Sequence, residues 1–182
     1  MRILHTSDLH LGISLMGRSL LEHQQWMIEE LAQVAKREQV AAVLISGDIF
    51  DRSVVAAEVI SLYNQMATKL CLELGVKVFL IAGNHDGAER LASCSALLEK
   101  AGLFVCGRLK DGVRRISLGQ GKEQVGITLL PYFNPDEVRS LTGQDVRDMD
   151  EALQVALRQL VPPPDPEQKN ILLAHLFVRG GV

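Results

Sequence analysis

Three apolar segments of this chain each end on a turn that carries acid or imidazole, and nothing else in the sequence restricts its fold so closely. Residues 2–6 run into Ser7-Asp8-Leu9-His10, residues 40–46 into Gly47-Asp48-Ile49-Phe50-Asp51, and residues 76–82 into Gly83-Asn84-His85-Asp86. Short apolar runs rich in β-branched residues and bounded by glycine read as buried strands. An ionised carboxylate delivered to the end of such a strand needs hydrogen bonds or a cation. The three strand ends are therefore expected to converge on one metal site with Asp48 at its centre.

What lies between the strands sets the fold class. Residues 20–37 carry Leu21, Met27, Ile28, Leu31 and Val34 near helical spacing, and a second helix is expected from about 55 to 74, stopped by Gly75. Strand, helix, strand, helix, strand is the order a parallel sheet requires, because each crossover must span the sheet and return. A shorter helix over 91–100 should lead past Gly102 to the strand Phe104-Val105-Cys106. After Gly107 the pattern turns to short β segments, 113–118 and 124–130, joined as a hairpin through Gly119-Gln120-Gly121. A polar loop with a short helix at 136–141, an amphipathic helix at 149–160 and a proline-rich connector at 161–166 precede a last strand, 171–174, which runs into His175. The class is α/β, parallel first and locally antiparallel later.

With 182 residues, 47% of them hydrophobic, the chain can bury one sizeable core and is expected to form one domain. No apolar run approaches the roughly 18 residues of a membrane span, and the start lacks the apolar core of a signal peptide, so a cytoplasmic location is expected. Cys71, Cys94 and Cys106 are too widely spaced for a disulfide framework or a paired-cysteine zinc site and read as free thiols. A net charge of −3 gives no basic footprint for nucleic acid. Bound divalent cations can supply that positive charge instead.

Asp8 and His10 leave an extended chain on the same side and can grip one cation; a loop aspartate capping a turn is the plainer alternative. Asp48, with two oxygens, can bridge two metals. Asp51 either orients a ligand or caps the helix that follows. Arg52 reads as a phosphate contact or as a solvated surface residue. Asn84 offers a carbonyl oxygen, His85 a proton for a phosphate oxygen or leaving group, and Asp86 a carboxylate to orient His85. His175 is a further imidazole ligand candidate, whereas His5 and His23, away from the strand ends, read as structural or surface residues.

As a set, Asp8-x-His10, Gly47-Asp48-x-x-Asp51, Gly83-Asn84-His85-Asp86 and His175 resemble the ordered motifs of the calcineurin-like metallophosphoesterases. The flanking residues 5–12, 47–51 and 174–178 are most similar to the SbcD-like branch of that superfamily. The resemblance spans essentially the whole chain and implies α/β/β/α layers. It implies two divalent metals, most often Mn²⁺ with Fe²⁺ or Zn²⁺ as alternatives, held by Asp8 and His10, bridged by Asp48, and completed by Asn84 and His175. His85 would stabilise the transition state or assist the leaving group, with Asp86 behind it. It further implies a Mn-dependent double-strand exonuclease and single-strand endonuclease of DNA repair and recombination, partnered by DNA and an SbcC-type ABC/SMC-like ATPase, homodimeric and away from membranes.

The family's later Gly-His-x-His element, its capping domain and its ATPase-docking helices do not occur in these residues. Residues 1–182 are accordingly expected to be the N-terminal portion of the nuclease domain, with later strands absent. Residues 52–55 also lack the prolines often found there in the SbcD-like branch, which bears on a loop at the substrate side. A phosphoesterase of small phosphodiesters or phosphoproteins, and a metal-poor protein-binding scaffold of the same fold, are the alternatives.

Overall fold

A computed structural model describes residues 1–177. Strand β1 (Ile3–Thr6) is followed by a small hairpin, β2 (Ser14–Leu15) and β3 (Arg18–Ser19), and by helix α1 (Leu21–Arg37). Strand β4 (Ala42–Ser46), helix α2 (Ala57–Ala67) and strand β5 (Lys77–Ile81) come next, and α2 runs on as a π-helical stretch over Thr68–Glu73. Two single-turn helices, α3 (Ala88–Leu91) and α4 (Ser95–Leu98), lead to β6 (Leu103–Cys106). Strands β7 (Arg114–Leu118) and β8 (Val125–Leu130), helices α5 (Pro135–Thr142) and α6 (Met149–Gln159), and strand β9 (Lys169–Ala174) complete the described elements.

Strands β1, β4, β5 and β6 form a parallel sheet in that order. Its central strands are apolar throughout because both faces are covered. Val43, Ile45, Val78 and Leu80 meet Ile28, Ala32, Leu62 and Met66 of α1 and α2, while Ala42, Leu44, Phe79 and Ile81 face the other way. There they meet Ile127, Leu129 and Leu173 of a second sheet, in which β8 pairs antiparallel with β7 and parallel with β9. Leu130, on the far face of β8, joins Phe133, Val138, Val155 and Ala156 beneath α5 and α6. Helices, parallel sheet, mixed sheet, helices is the four-layer α/β arrangement expected. Among the described residues no helix is long and apolar enough to cross a membrane.

Three local expectations change. The helix expected over 91–100 is interrupted at Cys94, which takes a left-handed φ of 58°. Ser93 and Ser95 there bond back only three residues, to the Arg90 and Ala92 carbonyls at 3.2 Å, since Ser-Cys-Ser is a poor helix sequence. The turn between β7 and β8 spans six residues rather than a tight Gly-Gln-Gly, because the Leu118–Val125 pair closes the ladder and a 3₁₀ turn fills the gap. The short helix expected at 136–141 is longer: Asn134 Oδ1 accepts the Glu137 N–H at 2.9 Å, Pro135 begins the first turn and Gly143 closes the last. Val178, the end of the third flanking match, lies outside the described residues.

Candidate metal centre

Parallel strands put their C-terminal ends on one side, and the register makes β1, β4 and β5 finish together, with Thr6 opposite Ile45 and Ser46 opposite Ile81. The turns that follow run alongside one another: the Asp8 N–H donates to the Gly47 carbonyl at 3.1 Å and the His10 N–H to the Asp48 carbonyl at 3.0 Å. To do this Asp8, His10 and Asp48 adopt φ values of 55°, 41° and 50°. Asp and His tolerate the left-handed region better than bulky residues do, and such departures concentrate at functional sites. Gln24 props this turn from α1, donating to the Leu9 and His10 carbonyls at 3.1 and 2.7 Å and accepting the Gly12 N–H at 2.9 Å.

Asp48 is the hub of the cluster. Its side chain is only 5% exposed, and Oδ2 lies 3.6 Å from His10 Nε2 and 3.5 Å from His175 Nε2. Asp8 Oδ1 stands 3.8 Å from the same His10 nitrogen, and Asn84 Oδ1 3.1 Å from His175 Nε2. The strand ends thus bring Asp8, His10, Asp48, Asn84 and His175 together, with Asp8 and His10 in left-handed turns rather than on the extended backbone expected. His175 reaches in from the second sheet, with Nδ1 2.7 Å from the Ser46 carbonyl. Nδ1 donates to that carbonyl, and a neutral imidazole so held would turn its Nε2 lone pair toward the Asp48 and Asn84 oxygens.

Oxygens and nitrogen lone pairs aimed at one another repel unless something positive lies between them. Carboxylate, amide and imidazole are donors that suit first-row divalent cations. Asp8, His10 and Asp48 offer ligand atoms within 4.8 Å of one another. The residues present therefore fit a cation. Two glycines make the approach possible: a Cβ on Gly47 would lie 2.6 Å from His175 Nδ1, and one on Gly83 would lie 2.9 Å from Asp48 Cγ.

Roles around the cluster differ in part from the sequence expectations. Asp86, assigned to orient His85, instead turns inward: its carboxylate accepts the N–H groups of Ile49, Phe50 and Gly83 at 3.2, 2.8 and 2.8 Å, tying two of the turns together. Burial pushes its pKa up, opposed by those three bonds. The His85 ring is held by Asp51, whose carbonyl accepts the Nδ1–H at 2.9 Å. That bond raises the His85 pKa, assisted by the carboxylates of Asp48, Asp51 and, last, Asp86. Asp51 does not cap α2, which begins after Ala56 without a side-chain cap. Its Oδ1 lies 3.6 Å from His10 Nδ1, beyond hydrogen-bond reach, and the His10 and His85 rings stand edge to face at 4.9 Å. His10, Asp51 and His85 form a second group with ligand spacing.

Arg52 is a surface residue, with Nε 3.5 Å from Asp51 Oδ2. His23 is exposed on α1, whereas His5 lines the site and bonds the Ser46 hydroxyl. Sequence reasoning passed over Gln24, although a polar residue stands out on the buried stripe of Gln24, Ile28, Ala32 and Ala35. The cluster opens into a cavity of about 880 Å³ that continues past Tyr132 to Pro135, Met149, Leu153, Leu176 and Phe177. Among the described residues lining it there is no lysine or arginine.

Residues 1–181 match the calcineurin-like phosphoesterase family. The chain belongs to this family. Two curated relatives, each named as the SbcD component of the SbcCD nuclease, resemble it over its whole length: one from Staphylococcus epidermidis at 33% identity and one from Staphylococcus saprophyticus at 31%. The chain spans 48% of the length of each, about half. A dimetal phosphatase structure from Danio rerio aligns with a TM-score of 0.47 at 14% identity, over 84% of this chain and 49% of that one. Calcineurin-like phosphoesterases are metal-dependent hydrolases, and Asp8, His10 and Asp48 form one candidate group here with ligand spacing.

Proposed function

We propose that this chain is the N-terminal portion of a nuclease domain that hydrolyses DNA phosphodiester bonds with two divalent cations, Mn²⁺ foremost. The observation that carries this is the placement of the buried Asp48 carboxylate between the Nε2 atoms of His10 and His175. Whole-length similarity to relatives named as components of the SbcCD nuclease supports DNA as the substrate. The same similarity supports an SbcC-type ATPase partner, a homodimeric complex and a role in repair and recombination.

Asp8 and His10 would hold one cation, Asn84 and His175 the other, with Asp48 shared. Cations bound there lower the pKa of a bound water and offset charge on the phosphoryl oxygens. His85 acts from the exposed side: with Nδ1 pinned on the Asp51 carbonyl, Nε2 is the atom left to give a proton to a phosphoryl oxygen or leaving group. Asp51 and Asp86 hold the turns on which these groups sit.

The absence of lysine and arginine among the described cavity-lining residues favours a second reading, hydrolysis of a small phosphodiester. Rates on linear DNA and on bis(p-nitrophenyl) phosphate separate the two. Asp48→Asn tests what they share: Mn²⁺ affinity by calorimetry should fall more than about 100-fold, and hydrolysis with it. Wild-type binding and turnover in that variant would sink both readings. A scaffold without metal would show no Mn²⁺ binding in the wild type either.

A further inference from the structure

We propose that the apolar half of the cavity, with Tyr132 as its platform, seats the base of the nucleotide whose phosphate lies at the metal ligands. This rests on the phosphodiesterase reading above. Tyr132 follows β8, where its neighbours Leu130, Pro131 and Phe133 are buried, yet Tyr132 itself is 37% exposed. Its N–H donates to the Ala82 carbonyl at 2.9 Å, which ties its backbone to the turn bearing Asn84 and His85. The ring stands edge-on to His175, centroids 6.4 Å apart, and so adjoins the metal ligands. The cavity wall also carries Pro135, Met149, Leu153, Leu176 and Phe177, with the Asp150 carboxylate among them.

A catalytic cavity that holds apolar surface open to solvent has a use for it. An inorganic phosphate has nothing to place there, whereas a nucleobase presents a flat π-face that stacks on an aromatic ring whatever its sequence. The charge pattern fixes the orientation. No cationic side chain among the described lining residues would draw a phosphate to the apolar end, and the Asp150 carboxylate there repels one. The phosphate is left to the cations at Asp8, Asp48 and Asn84, and the base to Tyr132.

The test is calorimetric binding of two probes to the Mn²⁺-loaded protein, thymidine 5′-phosphate and inorganic phosphate, with bis(p-nitrophenyl) phosphate turnover measured separately. The nucleotide should bind at least about tenfold more tightly than phosphate, the scale of one base–aromatic stack. Tyr132→Phe should keep that preference, and Tyr132→Leu, which retains apolar bulk without a ring face, should lose it while binding phosphate as before. Equal affinity for the two probes in the wild type, or a preference that survives Tyr132→Leu, overturns the proposal. Nucleotide preference without turnover leaves the base site standing and removes the phosphodiesterase reading instead.

Discussion

Adding one methyl group at Gly83 should disturb the proposed metal centre without replacing any of its residues. A Cβ there would fall well inside contact distance of the Asp48 amide nitrogen and Oδ1, and 2.9 Å from Asp48 Cγ. Gly83 has no positive φ, so backbone strain contributes nothing and the whole effect comes from that contact. The Ser46–Ile81 pairing holds the strands in place, which leaves the two turns to part by about 1 Å to restore ordinary contact. The two shorter hydrogen bonds to carboxylates that span the gap run from the His85 N–H to Asp48 Oδ1 at 3.0 Å and from the Phe50 N–H to Asp86 Oδ1 at 2.8 Å. Bonds to charged groups contribute about 1.5–3 kcal/mol each, so losing one and weakening the other costs about 3 kcal/mol. For a domain of this size that lowers Tm by roughly 6–12 °C. Circular-dichroism melting of Gly83→Ala reads the stability, and calorimetry should show Mn²⁺ affinity reduced at least about tenfold, as for a disturbed ligand support. Gly17→Ala is the control: its φ of 76° carries a backbone cost, but nothing lies within 4 Å and Mn²⁺ binding should not change. A Gly83→Ala protein that melts and binds Mn²⁺ like the wild type refutes the packing argument.

His85 and the buried thiols give two further expectations. His85→Ala should leave Mn²⁺ affinity intact and lower kcat about 10²–10⁴-fold, the range of a general acid; a loss of metal binding would make His85 a ligand instead. Burial pushes Cys71 and Cys106 from 9.0 up to about 11 and Tyr63 from 10.0 up to about 12, so the folded chain holds these protons more tightly than the unfolded one. Their stabilisation is complete below the unfolded values and is lost as pH rises through the folded ones. The urea midpoint should accordingly fall from pH 9 to pH 11, and less steeply in a Cys71→Ala, Cys106→Ala double variant; an equal slope in both proteins would exclude the thiols as the cause.

The parallel sheet was legible because each buried strand is an apolar run ending on a glycine or polar turn, and the candidate ligands were legible because those turns carry acid, amide or imidazole in an order that resembles the family motifs. Roles at one remove were not. Asp86 follows His85 directly, which suggested that the acid serves the imidazole, but the turn sends Asp86 inward to three backbone N–H groups and leaves His85 to the Asp51 carbonyl. No residue pattern encodes a carbonyl, since every residue has one. Tyr132 was equally silent, because what sets it apart is its exposure beside His175, which comes from β8 and β9 ending side by side rather than from either segment alone.

The proposed metal centre is also where the fold should give up stability, which would separate a cation site from an ordinary ion cluster. The carboxylates of Asp8, Asp48 and Asp51 all face His10, and Asp8, His10 and Asp48 are held at positive φ. The repulsion among three close carboxylates and the left-handed backbone both disfavour the metal-free chain. A cation that binds only the folded state returns that stability, about 2.7 kcal/mol at a hundred times its Kd, or roughly 5–11 °C in Tm. Asp8→Asn keeps a residue that accepts the left-handed conformation while removing one charge and one ligand. Its effect should therefore change sign with conditions, with Tm at or above the wild type in EDTA and below it in saturating Mn²⁺. A cluster held together by hydrogen bonds alone would lose stability in both, and a wild-type Tm indifferent to Mn²⁺ would rule out the metal centre altogether.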